Sequence, residues 1–312
     1  MQPFFVTSGN VTADRRYEFA QQYFRRGDLD AAADVMAQAV ELAPDFAAAW
    51  FALGEIHDAR GQREQAITAF RKAREHDVED RHGAALHLMR LGAEQMGAMP
   101  EAYVRTLFDQ YAPEFNRALL ETLNYRGPRI VRDAVREVLR AAGRSEQFRR
   151  AIDLGCGTGL AARAFARSAV EIIGYDLSPG MVGEARQTGL YDRLEVADMV
   201  KALQGEADGS ADLIFSADAV VYLADLAPLF CEVARVLSSD GLFACTLETH
   251  EGDGVILGVG LRYQHNGVYL RQTLQDAGLR ALHLAIISTR DESGVPVPGI
   301  VVVAMRAGPD TC

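Results

Sequence analysis

The chain has few of the residues that mark secreted, metal-binding or membrane-spanning proteins. Its 312 residues include four cysteines, with no Cys-x-x-Cys pair and no histidines at ligand spacing: Cys156, Cys231, Cys245 and Cys312. This scatter predicts reduced thiols and no metal site. No apolar run reaches the length of about 18 residues that a membrane span needs, and the N-terminus lacks a basic region followed by a long apolar core. We therefore expect a cytoplasmic protein with no membrane partner.

Positive charge is also scarce. The net charge is -11, and Lys72 and Lys201 are the only lysines among 32 basic residues. Polyanions repel such a chain, which disfavours nucleic acid as a partner, although a local basic patch could still bind one. Hydrophobic residues make up 49% of the sequence, enough for folded cores, and the length suggests about two domains.

The N-terminal part of the chain repeats itself at a period of about 34 residues. The shift aligns Ala20 with Gly54, and the second copy carries the pattern Trp50-x-x-Leu53-Gly54-x-x-His57. This pattern resembles the tetratricopeptide repeat, a helical hairpin that packs against its neighbours. Because about three hairpins are usually needed for stability, we expect a capping helical segment over residues 81–95, and the second domain can also support the array. The repeats can form a groove for a partner protein, or a structural or self-association arm, and both interpretations stay open.

A predicted strand, a glycine-rich turn and a helix follow one another at residues 151–168. Gly155, Gly157 and Gly159 allow positive φ and a close approach of a ligand to the main chain, beside the free N–H groups of a helix N-terminus. The next predicted strand ends at Asp176, where a carboxylate can accept hydrogen bonds from ribose hydroxyls. These features predict a ligand that contains a nucleoside.

The spacing of the glycines indicates which nucleoside. A dinucleotide fingerprint needs glycine at position 160, where the chain has leucine. The run Asp153-Leu154-Gly155-Cys156-Gly157-Thr158-Gly159 instead resembles the first motif of class I S-adenosylmethionine-dependent methyltransferases, and Tyr175-Asp176-Leu177-Ser178-Pro179-Gly180-Met181 resembles the second. The resemblance implies S-adenosyl-L-methionine as the cofactor. The predicted cofactor-binding residues are Asp153, Gly155, Cys156, Gly157, Thr158, Gly159, Asp176, Leu177, Met181, Asp198, Met199 and Ser216.

Two of these residues, Asp198 and Met199, follow the third predicted strand. Asp198 can accept a hydrogen bond from the exocyclic amine of adenine while Met199 packs on the ring, as the resemblance also implies. Alternatively, Asp198 is a turn residue with no ligand.

Strands and helices alternate after residue 150, which predicts a parallel sheet. Two β-rich runs at 281–289 and 299–306, joined by a Pro/Gly turn, predict an antiparallel closing hairpin. The predicted fold class is therefore α/β: a Rossmann-like methyltransferase sheet preceded by a small all-α repeat domain. We expect the repeat domain at 11–98 and the methyltransferase domain at 99–312, with N-terminal cap helices over 100–143.

Candidate residues for the acceptor side come from three segments. Residues 108, 111 and 115 are aromatic at helical spacing, which by default indicates a core face, but the segment resembles the cap of small-molecule methyltransferases and makes Tyr111 a candidate. Asp218 and Tyr222 follow the fourth strand, where open α/β sheets place their reactive centre.

The third segment lies between the fifth strand and the next helix. There Arg262 could pair with a carboxylate of the acceptor, and Tyr263 could hold or deprotonate its hydroxyl group. His265 is either a catalytic base or a cap of the following helix. The Asn-Pro-Pro-aromatic motif of nucleic-acid amino methylation is absent from the sequence. We therefore expect a methyltransferase that acts on a small, anionic or hydroxylated acceptor. The alternative is a protein-interaction module whose methyltransferase fold is non-catalytic or senses S-adenosylmethionine.

Overall fold

The structure is a computed structural model that describes residues 7–117, 119 and 123–307. It divides into two compact units, one of which contains the chain up to Thr106 together with Val259–Leu261. The other contains Leu107–Gly258 and the chain from Arg262 onward. The first is helical and the second contains a Rossmann-like sheet, so the predicted fold class is confirmed. The predicted domain boundary between residues 98 and 99 stays a prediction.

The first unit consists of helical hairpins. Its helices are α1 Val11–Arg25, α2 Leu29–Leu42, α3 Ala47–Ala59, α4 Arg63–His76 and α5 Ala84–Arg90, followed by the start of α6, Glu101–Tyr111. Helix α1 packs on α2, and α3 packs on α4.

Small residues allow this close packing, because the alanines that the repeat pattern aligns are buried between the helices. Where the second copy has Gly54, the ring of Phe70 lies so close that an added Cβ would stand 2.6 Å from Phe70 Cε1. The Trp50 indole donates a hydrogen bond to the Pro44 carbonyl at 2.7 Å, which ties α3 to the end of the first hairpin.

The capping helix is shorter than the sequence predicts. Instead of extending over 81–95, α5 begins after Gly83 and ends before Gly92, both of which have positive φ. The Asp80 carboxylate accepts hydrogen bonds from the Ala84 and Ala85 amides at 2.7 and 2.9 Å and so caps the first turn.

The second unit is built on a twisted sheet. Its strands are β1 Phe148–Leu154, β2 Ala169–Asp176, β3 Arg193–Val196, β4 Ala211–Ser216, β5 Leu237–Glu248, β6 Val255–Leu257, β7 Tyr263–His265, β8 Leu279–Ile287, β9 Asp291–Glu292, β10 Val295–Pro296 and β11 Gly299–Arg306. The sheet order is β3-β2-β1-β4-β5-β11-β8, with β7 beside the end of β5. Strands β1 to β5 run parallel, whereas β11 is antiparallel to both β5 and β8. The strand order reverses between β1 and β4, and ligands bind at such a switch point.

Helices cover both faces of the sheet, as a parallel sheet requires. The helices of this unit are the end of α6, α7 Phe115–Arg117, α8 Gly127–Ala141, α9 Leu160–Phe165, α10 Pro179–Gln187, α11 Met199–Gln204, α12 Ala227–Val236 and α13 Gly267–Asp276. One core contains residues of α8 and α9, and the other contains residues of α11, α12 and α13.

The structure adds strands that the sequence pattern concealed. The segment 249–266, for which the sequence predicts no strand, contains β6 and β7, and Gln264 pairs with Glu248 of β5. The apolar run of β6 is short and lies between glycines, so it gives no clear strand pattern in the sequence. Pairing with β7 provides hydrogen-bond partners for its main-chain groups. The predicted closing hairpin is present as β8 and β11, with a small hairpin of β9 and β10 in its connection.

Three cysteines, Cys156, Cys231 and Cys245, are free thiols, and Cys312 lies outside the described residues. Within the described ranges, every helix is too short or too polar to cross a membrane.

We expect Gly54→Ala to destabilise the repeats by about 1 to 3 kcal/mol, because the new methyl group overpacks against Phe70. Trp50 is the chain's single tryptophan, so its fluorescence during urea unfolding reports on this unit. The double variant Gly54→Ala with Phe70→Leu should lose less stability than the sum of the single changes, because the smaller side chain relieves the clash. Additive losses would show that the Phe70 ring is not the obstacle.

Candidate functional site

The glycine-rich turn lies between β1 and α9 at the switch point of the sheet. Gly155, Gly157 and Gly159 have φ of 67°, 52° and 88°. These values lie in the left-handed region, which glycine adopts readily, and agree with the positive φ expected from the sequence. At Gly155 a side chain is also excluded by packing, because its Cβ would lie 2.2 Å from Cβ of Ala219. The turn is fixed by hydrogen bonds from the Gly155 and Cys156 amides to the Tyr175 carbonyl, at 2.8 and 2.9 Å.

Asp176 stands at the end of β2 and faces the same turn. Its Oδ2 accepts a hydrogen bond from the Gly157 amide and its Oδ1 accepts one from the Ser178 amide, both at 2.9 Å. Burial raises the pKa of Asp176 to about 6, with Asp109 adding to the rise and the two backbone hydrogen bonds opposing it. Each oxygen has a second lone pair, so the carboxylate can accept ligand hydroxyls as well as hold the turn.

Asp153 lies beneath the turn at the end of β1 and is fully buried. Its Oδ2 accepts a hydrogen bond from the Tyr191 phenol at 2.8 Å. Its Oδ1 has no hydrogen-bond partner among the residues that the structure describes. Burial raises the pKa of Asp153 to about 7, and the charge of Asp176 adds to the rise, while Tyr191 and the Ala162 main chain oppose it. A buried carboxylate oxygen without a hydrogen-bond partner can accept a hydrogen bond from a donor on a ligand.

Asp198 begins α11, and its Oδ1 accepts hydrogen bonds from the Val200 and Lys201 amides at 3.0 Å each. It is therefore a helix cap, and its adenine-binding role stays a prediction. Met199 reaches the turn, since its Cε would lie 3.8 Å from a Cβ on Gly155.

The remaining predicted cofactor residues differ in exposure. Leu177 is partly exposed and Thr158 is almost buried. Met181 and Ser216 are fully buried, and the Ser216 hydroxyl donates to the Leu154 carbonyl at 2.7 Å. Neither presents surface to a ligand in this arrangement, so their binding role stays a prediction.

Residues 107–116, which we call the cap segment, cover both motifs. Asp109 Oδ1 accepts hydrogen bonds from the Ser178 hydroxyl at 2.5 Å and from the Gly180 amide at 2.9 Å. The Thr158 hydroxyl donates to Asn116 Oδ1 at 2.5 Å. Sequence reasoning missed Asp109, Asn116 and Tyr191, since single polar residues outside a motif give no distinct signal.

Aromatic side chains of the cap segment line the same region. The Phe108 ring meets the Phe115 and Tyr222 rings edge to face, at centroid distances of 6.0 and 5.3 Å. Tyr111 is partly exposed in this segment, and its place in the pocket stays a prediction.

An ionic network occupies the carboxyl ends of β4 and β5. Asp218, with φ of 57°, accepts hydrogen bonds from the Thr246 and Thr289 hydroxyls at 2.8 and 2.6 Å. Arg290 donates to Asp218 at 3.2 Å and also pairs with Glu248 and Glu292. The arginines beside Glu248 hold its pKa below the ordinary value, against the opposing effect of burial.

The residues of the predicted acceptor-binding segment are divided between this ionic network and the core. Arg262 is already paired with Glu248 and Glu292. Tyr263 and His265 are fully buried, and the His265 ring stacks on Tyr269 at a centroid distance of 5.8 Å. Burial lowers the pKa of His265 to about 4, so the ring is neutral at physiological pH. A catalytic role for these residues stays a prediction, as it does for Asp218 and Tyr222.

Two segments of the chain match models of known protein families. Residues 152–245 match the family model for a methyltransferase domain, and residues 23–88 match that for a tetratricopeptide repeat. Human methyltransferase-like protein 27 is 29% identical over 139 residues, which cover 40% of this chain and 55% of that protein. Ubiquinone biosynthesis O-methyltransferase of Xanthomonas oryzae pv. oryzae is 30% identical over 118 residues, which cover 36% of this chain and 49% of that enzyme. The chain thus spans about half the length of these relatives.

Solved structures share the fold. The Burkholderia thailandensis 1,6-didemethyltoxoflavin-N1-methyltransferase, solved with S-adenosylhomocysteine, has a TM-score of 0.52 at 14% identity and covers 69% of this chain and 93% of its own. The [4+2]-cyclase SpnF has a TM-score of 0.52 at 17% identity and covers 69% of this chain and 99% of its own. A cyclase among them means that the fold by itself does not define the reaction. The predicted S-adenosylmethionine-dependent methyltransferase domain and the predicted repeats are confirmed by the family matches.

We expect Arg290→Met to destabilise the second unit by about 3 to 5 kcal/mol, because the largely buried Asp218 loses its paired cation and Glu248 keeps only Arg262. Hydrogen exchange of the β5 amides measures this stability. Arg280→Met on exposed β8 is the control and should stay within about 0.5 kcal/mol of the wild type. Equal exchange in both variants would contradict a structural role for the network.

Proposed function

We propose that this chain, which carries an S-adenosylmethionine-dependent methyltransferase domain and tetratricopeptide repeats, transfers a methyl group to a hydroxyl group of a small molecule. The observation that supports cofactor binding is the glycine-rich turn with a carboxyl group on either side of it, Asp153 below and Asp176 beside. The sulfonium of S-adenosylmethionine makes its methyl carbon electrophilic, so the protein has to align a nucleophile and exclude water.

The residues present suit this cofactor. Gly155, Gly157 and Gly159 have positive φ and no side chains, so a ligand can approach the main chain of the turn closely at these positions. Asp176 would accept the ribose hydroxyls, and Asp153 would accept a donor through its unpaired Oδ1. Asp198 and Met199 would lie beside the adenine, and the cap segment would keep water away from the reacting groups.

The charges on the acceptor side favour a hydroxylated acceptor over an anionic one. An acceptor carboxylate would need a free guanidinium, but Arg262 and Arg290 already pair with Glu248 and Glu292. Tyr222 lies near this network, and burial raises its pKa, so the phenol keeps its proton and can donate to an acceptor oxygen. Asp218 can receive a proton from a hydroxyl group. The ubiquinone biosynthesis O-methyltransferase among the relatives agrees with oxygen as the nucleophile.

The repeats support a further part of the proposal. Tetratricopeptide hairpins present a continuous surface for a partner protein or for self-association. We assign the first unit to one of these two roles, outside the chemistry of the sheet. The competing function is a protein-interaction module that senses S-adenosylmethionine without methyl transfer. A protein that binds the cofactor but methylates no member of a broad acceptor panel would support that function.

Asp176→Asn should weaken binding of S-adenosylhomocysteine by about 1 to 3 kcal/mol, because the amide nitrogen that replaces one carboxylate oxygen only donates and accepts from neither a backbone amide nor a ribose hydroxyl. Titration calorimetry measures the loss. Asp212→Asn is the matched control, because Asp212 also accepts a backbone hydrogen bond, from Arg149 at 2.8 Å, but at the amino end of β4. Similar affinities for both variants would argue against the proposed cofactor site.

Tyr222→Phe should lower kcat/KM about tenfold or more, because the acceptor oxygen loses a hydrogen bond, while the affinity for S-adenosylhomocysteine is unchanged. A methyl-release assay with a panel of phenols, alcohols, amines and carboxylates identifies the acceptor first, and we expect turnover with a hydroxylated member. Tyr23→Phe in the repeats is the control and should turn over like the wild type. Preference for carboxylates would refute the proposed acceptor class.

A further inference from the structure

Tyr191 occupies a position between the two cofactor motifs. Its ring lies against Gly174 of β2, where an added Cβ would stand 2.7 Å from Tyr191 Cε1. It also lies under Gly159, whose added Cβ would stand 3.2 Å from Cε2. Glycine at both positions therefore makes room for the ring, and its phenol reaches Asp153 beneath the turn.

The main chain beside Tyr191 is held to the sheet. The Asp192 amide donates to the Ile172 carbonyl, and the Ile172 amide donates to Asp192 Oδ2, both at 2.9 Å. These two hydrogen bonds fix the backbone at residue 192 to β2 and so hold the neighbouring Tyr191 ring between Gly174 and Gly159. The phenol is thus a fixed donor rather than a mobile surface group.

Asp153 depends on this donor. Its carboxyl group is fully buried, Oδ2 accepts from Tyr191 at 2.8 Å, and Oδ1 is without a partner among the described residues. A hydrogen bond to an ionised carboxylate stabilises the charged form. Without the phenol, both oxygens would lack a side-chain partner in an apolar setting, and the proton would be held more tightly.

Resting on the proposed function, we infer that Tyr191 is a positioning residue for the cofactor: its phenol orients Asp153 and favours the ionised carboxylate, so that Oδ1 can accept a donor from the cationic end of S-adenosylmethionine. The cofactor and its demethylated product both carry an ammonium group, so an ionised Asp153 attracts them and a protonated one does not.

Several other titratable groups face Asp153. They are Asp176 at the end of β2, the Cys156 thiol in the turn, and Tyr125 before α8. Burial raises the pKa values of Cys156 and Tyr125 well above their ordinary ranges, so both stay neutral up to pH 8.5. The pKa is about 7 for Asp153 and about 6 for Asp176, so of the groups named here these two carboxyl groups titrate between pH 5.5 and 8.5. Because the ligand prefers the ionised form, affinity should rise with pH through both pKa values.

The test is titration calorimetry with S-adenosylhomocysteine on the full chain between pH 5.5 and 8.5. The wild-type affinity should rise with pH, with its upper step near the pKa of Asp153, about 7. Tyr191→Phe should bind about tenfold more weakly at pH 7, and its upper step should move up by about one pH unit. The matched control is Tyr17→Phe, which removes the phenol of a half-buried tyrosine in α1 of the repeats and should leave both affinity and pH profile unchanged.

The outcomes separate this inference from the proposed function. Failure of the wild-type protein to bind S-adenosylhomocysteine would refute the proposed cofactor site itself. Binding with the same affinity and the same pH profile in Tyr191→Phe would overturn only the role of Tyr191. If that variant unfolds, Asp153→Asn is the second test, because it should abolish the upper step. Persistence of that step in Asp153→Asn would also overturn the inference.

Discussion

The close approach of Ala219 to Gly155 is the constraint on which the candidate site depends. Parallel pairing of β1 with β4 brings the turn after β1 against the loop after β4, and only a residue without a Cβ fits at the contact. The neighbouring Asp218 accepts positive φ in the same loop, a conformation that surrounding hydrogen bonds must hold. The absence of a side chain at Gly155 thus allows the turn after β1 and the loop after β4 to lie in contact.

The carboxyl groups at the strand ends divide into two kinds according to their partners. Asp153 and Asp176 accept from a phenol and from backbone amides, and their pKa values are raised to about 7 and about 6. Glu248 pairs with arginines, and its pKa is lowered. Neutral donors leave a buried carboxyl group able to change protonation, whereas guanidinium groups fix its charge. The proposed cofactor side can therefore respond to pH, whereas Glu248 on the proposed acceptor side stays ionised.

The sequence was sufficient for the repeats, the sheet and the glycine-rich turn, because each follows from a local pattern: a repeat period, alternating elements, or the spacing of Gly155, Gly157 and Gly159. It was not sufficient for contacts between distant segments. The pairing of Arg262 with Glu248 depends on β7 lying beside β5, which no local pattern encodes. Tyr191 likewise acquires its place only when Gly174 and Gly159 make room for the ring.

Specificity for the acceptor should arise from the cap segment rather than from the sheet. On the sheet side, Asp218, Glu248, Arg262, Arg290 and Glu292 form one network, and moving Glu248 or Arg290 would separate charges that are almost fully buried. That wall is therefore stiff. The aromatic residues of the cap segment, Phe108, Tyr111 and Phe115, are only partly buried, and Asp109 and Asn116 attach the segment by single side chains. We therefore expect the cap segment to adapt to the acceptor more readily than the ionic network does.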